Sequence, residues 1–296
     1  IDYYKKGLEI DPNNDLINFH LGNTYRVLER YDEAIQHYEL SNTKLSKTNQ
    51  LESIYKNNDK ELFNEKLKGF IGTKTVEPLI ATLSSHASIR FDQKDEYTFC
   101  PDPFDYICTA NLYDDERFND EFISGLGKEI NDANISKKTQ SLLKNGFQSS
   151  GNLFLKNSPN MKIMQNIVYE AINSFREKFS DRNIDLIKYW PKDFDVIAWL
   201  IIIKKEGSLL AHMHKHGWVS GSVYLHIPQK LSKDEGNIKF SYDGGGYPND
   251  SKDYPQKIVD INKGSLVLFP SSLFHSTIPF SSEEERVTLA FDLIPK

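Results

Sequence analysis

From Trp190 to the C-terminus the chain breaks into short apolar runs separated by turn-forming residues, and this pattern leaves few folds open. The expected strands are Val196–Lys204, Leu209–His214, Ser220–Ile227, Gly236–Ser241, Lys257–Ile261, Ser265–Leu268, His275–Ile278 and Val287–Leu293. Between them stand Glu206-Gly207, Gly244-Gly245-Gly246, Asn262-Lys263-Gly264 and Ser281–Glu284, all of which favour turns. About eight short strands behind a few helices predict a double-stranded β-helix, a jelly-roll or cupin-like barrel. Two amphipathic helices are expected ahead of the barrel. One, over 115–130, carries Phe118, Phe122, Ile123 and Leu126; the other, over 160–180, carries Ile163, Ile167, Ala171, Ile172 and Phe175. Gly146–Leu155, between them, reads as a strand or hairpin.

The front of the chain has a different texture. Tyr4, Gly7 and Pro12 recur as Tyr38, Ser41 and Ser46, an offset of 34 residues, which is the period of a tetratricopeptide repeat. The second copy supplies Leu21, Gly22, Tyr25, Tyr31, Ala34 and Tyr38, the small and large residues by which paired helices approach and interlock. The first copy is a closing helix alone, Asp2–Glu9, so the array is expected to continue before residue 1. After Ser46 the register fails. Residues 50–70 still read as helix, with Leu51, Ile54, Tyr55, Leu62, Leu67 and Phe70 on one face, and are expected to form a degenerate cap. The expected fold class is therefore α+β. Helical repeats occupy 1–71, a connector with one apolar helix (Val76–Leu83) and packed on the next domain occupies 72–105, and a barrel domain occupies 106–296.

Composition narrows the function classes. Of 296 residues, 39% are hydrophobic and 26% charged, which is ordinary globular usage and excludes a disordered or fibrous chain. The longest apolar run, Val196–Ile203, is far short of the roughly 20 residues a membrane-spanning helix needs, so no membrane role is expected. The net charge of −6 argues against nucleic acid as a partner. Two cysteines, Cys100 and Cys108, cannot make a disulfide framework and point to a reducing, cytoplasmic setting. Gly244-Gly245-Gly246 lacks the Gly-Lys-Ser/Thr of a phosphate loop, and Asn249-Asp-Ser251 is a formal glycosylation sequon without consequence in such a compartment.

The chemistry lies in the histidines. His212, His214 and His216 alternate, and on a strand alternate side chains share a face, so their imidazoles can point into one barrel mouth. His275 lies on a late strand after Phe269-Pro270. Histidines from one strand plus one from a distant strand build a facial metal site with open positions. Arg286 opens the last strand, in apolar company (Val287, Leu289, Ala290, Phe291), where its guanidinium can clamp a carboxylate. The plainer alternative is a surface ion pair with Glu283, Glu284 or Glu285. Tyr224 can add a hydroxyl to the same carboxylate, or it can be an ordinary core tyrosine.

Together, His212-Met-His214, Ser220-Gly221-Ser-Val-Tyr224-Leu225, Gly236-Asn-Ile-Lys-Phe240, Gly264–His275 and Arg286-Val-Thr288-Leu-Ala-Phe291 resemble the iron(II)/2-oxoglutarate-dependent oxygenases. The likeness is to the prolyl-hydroxylase-like kind often joined to tetratricopeptide repeats. Upstream, Phe99–Tyr106 and Gly146-Phe-Gln148-Ser look similar too. The resemblance implies Fe(II) and 2-oxoglutarate as cofactors, O2 as co-substrate, and hydroxylation of a substrate C–H without a Ser/His/Asp triad. It implies His212, His214 and His275 as metal ligands, and Arg286 and Tyr224, with Thr288 beside them, as partners of the distal carboxylate of 2-oxoglutarate. His216, Trp218 and Gln148 are then expected at the substrate rim.

One departure matters. The pattern of these oxygenases is His-x-Asp/Glu with a distal His, and here the second position is His214. His214 can be a true ligand, can stand beside a two-histidine site completed by water, or can pair with His216 in a shifted register; the spacing to Ser220-Gly221 fits the first best. An all-histidine site also keeps open a cupin-type metal enzyme that does not use 2-oxoglutarate, which Arg286 disfavours. A non-catalytic repeat protein is the third class, against which the retained ligands and Arg286 speak. The repeat groove suggests a protein or peptide as partner and substrate, with a small molecule as the alternative.

Overall fold

The computed structural model describes residues 1–73 and 76–296. Six helices come first: α1 (Asp2–Ile10), α2 (Asp15–Val27), α3 (Tyr31–Glu39), α4 (Lys44–Lys56), α5 (Lys60–Lys68) and α6 (Pro78–Arg90). After them come α7 (Asp120–Asp132), α8 (Pro159–Lys178) and α9 (Asp185–Lys188). The strands are β1 (Cys108–Asn111), β2 (Lys137–Lys138), β3 (Leu143–Ser149), β4 (Phe194–Leu209), β5 (Val219–His226), β6 (Ile238–Ser241), β7 (Gln256–Val259), β8 (Ser265–Pro270), β9 (Phe274–Thr277) and β10 (Arg286–Pro295). The chain divides into two compact units: Ile1–Thr98 with Gly246–Lys252, and Phe99–Gly245 with Asp253–Lys296.

The helical unit follows the repeat logic. Asn14 caps α2 by accepting from the Ile17 N–H at 3.0 Å. Leu21, Tyr25, Ala34 and Tyr38 form its buried seam. Gly22 is required there, because a Cβ would stand 2.6 Å from the Tyr38 ring. The expected single helix over 50–70 is instead α4 and α5, divided at Asn57-Asn58-Asp59. Asn58 turns left-handed (φ 66°) and Asp59 caps α5. Phe63, not Leu62, fills the core beside Leu67, and Phe70 is only partly buried. The stretch expected as a connector splits. Residues up to Thr98 count with the helical unit, because α6 is buried nearly all round and its His86 meets Tyr55 Oη at 2.5 Å; positions 74 and 75 of that stretch lie outside the described residues. Gly246–Lys252, far along the sequence, also belongs to this unit. Tyr247 Oη donates to the buried Glu52, and Asp250 takes two hydrogen bonds from Arg90 at 2.7 and 2.9 Å.

The second unit is the jelly-roll domain: a seven-stranded sheet in the order β1-β8-β5-β10-β4-β3-β2 and a three-stranded sheet in the order β7-β6-β9. All pairings are antiparallel. Tyr224, Ile238, Phe240, Ile261, Val267, Phe269 and Leu273 make one core cluster, and Leu143, Ile201, Ile203, Leu209, Phe280 and Ala290 another. α7 buries Phe122, Leu126 and Ile130, and α8 buries Met161, Met164, Ile167, Val168, Ile172 and Phe175. The two expected strands Val196–Lys204 and Leu209–His214 differ from the structure. β4 runs unbroken from Phe194 to Leu209 through the predicted turn, and the chain then leaves the sheet before the histidines. Glu206, at φ 58°, absorbs the kink that Glu206-Gly207 announces without ending the strand.

Candidate active site

Two of the metal-binding candidates, His212 and His214, sit on an irregular loop, and the third, His275, sits on β9. His212 lies beyond β4 and is held by a two-way backbone bridge to His275 on β9: His212 N–H to His275 O at 3.1 Å, and His275 N–H to His212 O at 2.9 Å. His214 N–H donates to Ser271 O at 3.0 Å, which fixes the next turn of the loop against the end of β8. Gly217 lets that loop pass close behind the site, since a Cβ there would meet Ser271 Oγ at 2.5 Å. Ring centroids of the three histidines lie 4.3 to 5.1 Å apart, and their ligating atoms all fall within 4.8 Å of one another.

Hydrogen bonds settle which nitrogen each ring offers. His212 Nδ1 donates to Leu210 O at 2.8 Å, His275 Nδ1 to Leu273 O at 3.3 Å, and His214 Nδ1 to Asp292 Oδ1 at 2.6 Å. With Nδ1 engaged in this way, each ring has Nε2 left to offer a metal. The Nε2 atoms of His212 and His214 are 3.2 Å apart. At that distance the two nitrogens can share a proton or flank a cation, and three imidazoles gathered in this way suit a transition metal. Burial, with the neighbouring His214 second, pushes His212 down to about 4. Burial also pushes His275 well below the usual histidine range, with His212 and His214 adding to it. Both rings are therefore neutral and ready to ligate at neutral pH.

Period-two alternation on β10 points Arg286, Thr288, Ala290 and Asp292 into one cavity of about 240 Å³, which the three histidines also line. Arg286 is 3% exposed. Its Nε donates to Gly236 O and its Nη1 to Thr288 Oγ1, both at 2.9 Å, and its guanidinium stands 4.9 Å over the Tyr224 ring. Among the described residues no carboxylate pairs with it. The three acidic neighbours look elsewhere: Glu283 to Lys205, Glu284 to His226 and Glu285 to Lys204. Burial lowers the Arg286 pKa from its usual value. An arginine buried without an anion is costly to maintain, and the remaining N–H donors of the fork suit a carboxylate. Tyr224 Oη, fully buried in the same cavity, has no hydrogen-bond partner. Burial raises its pKa, against which Arg286 pulls it down. A buried cation and an orphaned hydroxyl fit the carboxylate end of a dicarboxylic acid.

The rim expectations divide. Gln148 lines the cavity and accepts from Gln140 Nε2 at 2.8 Å. Trp218 is not at the rim. It is a core residue whose Nε1 donates to Leu186 O at 2.8 Å and whose ring meets Phe99 edge-on at 5.1 Å. His216 is solvent-exposed and outside the cavity, so the shifted His214/His216 register is not the one the fold assembles. Sequence reading missed Asp292 and Trp199, which line the cavity, and gave Ser220 no role beyond its place in a motif. Asp292 was detectable in principle, being an acidic residue at even spacing from Arg286 in an otherwise apolar strand.

Residues 197–292 match the family described as "Putative 2OG-Fe(II) oxygenase". Over this segment the chain is similar to the 2OG-Fe(II) oxygenases. The cofactors that this description names are Fe(II) and 2-oxoglutarate, and the three histidines are a group that could hold a metal ion. Residues 3–36 match the tetratricopeptide repeat. No curated protein matches the chain. Among solved structures, a Pseudomonas putida prolyl-4-hydroxylase is 13% identical, over 71% of this chain and 99% of its own, at a TM-score of 0.43. HygX from Streptomyces hygroscopicus, with nickel and 2-oxoglutarate bound, is 13% identical over 65% of this chain and 85% of its own, at 0.42. A Trichoplax adhaerens prolyl hydroxylase, in complex with a hypoxia inducible factor peptide fragment, is 12% identical over 75% and 94%, at 0.40. Among the described residues no helix is long and apolar enough to cross a membrane.

Proposed function

We propose that the oxygenase domain hydroxylates a side chain of a protein or peptide, using Fe(II) held by His212, His214 and His275 and 2-oxoglutarate clamped by Arg286. The observation that carries this reading is the shared cavity: three imidazoles offer ring nitrogens at one place, and a buried guanidinium without a carboxylate partner, beside an orphaned phenol, waits at another. When bound, Fe(II) with 2-oxoglutarate and O2 supplies oxidative C–H chemistry, the keto acid leaving as succinate and CO2. The chain's own part is positional. His212 and His275 are locked by their mutual backbone bridge. Arg286 and Tyr224 orient the distal carboxylate, and Thr288 holds the guanidinium in its rotamer. Ile201, Leu209, Ile238, Phe269 and Ala290 line the cavity with apolar surface that keeps bulk water away. No proton-transferring triad is required of the protein.

The macromolecular substrate rests on the repeats, since stacked helical hairpins present peptide-binding surfaces. The domain organisation we propose is accordingly a recognition unit of helices joined to a catalytic jelly roll. The test is to supply Fe(II), 2-oxoglutarate and O2 with a lysate-derived peptide library. Succinate release in step with a +16 Da product peptide supports the proposal. Turnover on small metabolites but on no peptide or protein would refute the macromolecular part of it.

A further inference from the structure

The three-nitrogen set raises a charge problem. A metal held by two imidazoles and a carboxylate has one charge neutralised by its ligands; held by three imidazoles it has none. The cavity contains one acidic side chain, and it lies behind His214. Asp292 and Ser220 face each other across the β10–β5 pairing. Asp292 Oδ1 accepts from His214 Nδ1 at 2.6 Å and from Ser220 Oγ at 2.6 Å, and Ser220 Oγ lies 2.8 Å from Ser271 Oγ. The Asp292 side chain is 11% exposed, and its ion-pair partner among the described residues is His214 alone. Among the described residues no lysine or arginine pairs with it. Nothing in packing requires an acid here, since neighbouring positions on the strand are Phe291 and Leu293, and an uncharged residue would be cheaper to bury. What an acid does provide is a strong acceptor for the ring N–H, which makes the opposite nitrogen a more electron-rich donor.

We propose that Asp292, oriented by Ser220, supplies through the His214 ring the negative charge that the all-histidine ligand set lacks. Asp292 is a positioning residue: it touches neither metal nor co-substrate in this role, and acts on the metal through His214. The proposal deepens the metal-site assignment above and rests on it. It explains how a histidine stands at the position where the resembling oxygenases carry Asp or Glu. The carboxylate has moved one ring outward, from the loop to the strand behind it.

The experiment measures metal binding and redox behaviour in the full chain, with no substrate. Co(II) affinity is followed anaerobically by its visible bands, and the Fe(III)/Fe(II) potential by electrochemistry. Asp292→Asn keeps the shape and removes the charge; its Co(II) affinity is expected to fall by about 10- to 100-fold, and the iron potential to move positive. Ser220→Ala, which leaves the carboxylate but frees it to rotate, is expected to give a smaller loss in the same direction. The double variant His214→Asp with Asp292→Asn returns the charge to the ligand set and is expected to recover both affinity and potential, which a merely structural role for Asp292 would not produce. An Asp292→Asn protein that binds Co(II) like the wild type with an unchanged potential would overturn the inference. Should Asp292→Asn not fold, Ser220→Ala decides in its place, unchanged Co(II) binding and an unchanged potential counting against. His212→Ala and His275→Ala separate the two levels. If they also bind like the wild type, the metal-site assignment falls and this inference with it; if they lose the metal while Asp292→Asn keeps it, this inference alone falls.

Discussion

Replacing Tyr224 by Phe is expected to stabilise the empty protein and weaken the co-substrate, two effects of opposite sign from one oxygen atom. The Tyr224 hydroxyl is fully buried and meets no partner at good hydrogen-bond geometry, Ser222 and Arg286 being the side chains that act on it. A buried hydroxyl left unsatisfied costs about 1–3 kcal/mol, which removing the oxygen returns. The ring itself remains, so its packing against Phe240 and Val267 and its place under the Arg286 guanidinium are kept. For a domain of this size each kcal/mol is worth roughly 2–4 °C, so the ligand-free variant should melt several degrees above the wild type. Binding moves the other way. A hydroxyl-to-carboxylate hydrogen bond is worth about 1.5–3 kcal/mol, so 2-oxoglutarate affinity should fall by roughly 10- to 150-fold. Differential scanning calorimetry of the ligand-free protein and calorimetric titration of 2-oxoglutarate onto the metal-loaded protein read the two quantities. A variant that melts below the wild type, or that binds 2-oxoglutarate equally well, would refute the reasoning that this hydroxyl is reserved for a ligand.

Other outcomes follow from the same geometry. Arg286→Lys keeps the charge but loses the fork and its contact to Thr288, and should weaken 2-oxoglutarate by at least about 10-fold, with Arg286→Ala weaker again; equal affinity in the lysine variant would show that no bidentate contact exists. His212 is pushed down to about 4 in the folded chain. Its contribution to the stability of the metal-free protein is therefore fully present above about pH 6.5 and lost as pH falls towards 4, because the unfolded chain binds the proton more readily. Urea midpoints at pH 7 and pH 4.5 should show this acid loss, and it should shrink in His212→Gln; an identical loss in the variant would assign it to other groups. In the helical unit, Gly22→Ala forces a methyl against the Tyr38 ring and should cost about 1–3 kcal/mol in a denaturant titration, while leaving metal binding by the oxygenase domain unchanged.

What the sequence made legible was whatever depends on period. The 34-residue register located α2 and α3 through Leu21, Gly22, Ala34 and Tyr38, and short apolar runs between turn residues located β5, β8 and β10. The histidine and arginine positions were legible because charged and metal-binding side chains stand out in apolar strands. Other features were invisible because they depend on contacts distant in sequence. The loop that carries His212 and His214 reads as a strand by alternation, yet its partner is one isolated bridge to His275, so no ladder forms. Trp218 reads as a rim residue from its place beside His216, but a carbonyl at Leu186 and the Phe99 ring draw it into the core. Asp292 looked like one more residue of the last strand. Only the pairing of β10 with β5 sets it opposite Ser220 and behind His214. The seven residues Gly246–Lys252 read as loop and nothing more, and what assigns them to the helical unit is Arg90, which lies 160 positions from Asp250.

The most direct measurement is an anaerobic Fe(II) titration with and without 2-oxoglutarate, watching for a weak visible charge-transfer band. The account predicts a band that needs both components, disappears in His212→Ala and His275→Ala, and in Arg286→Ala returns only at far higher 2-oxoglutarate. Iron binding that leaves the spectrum indifferent to 2-oxoglutarate would contradict it.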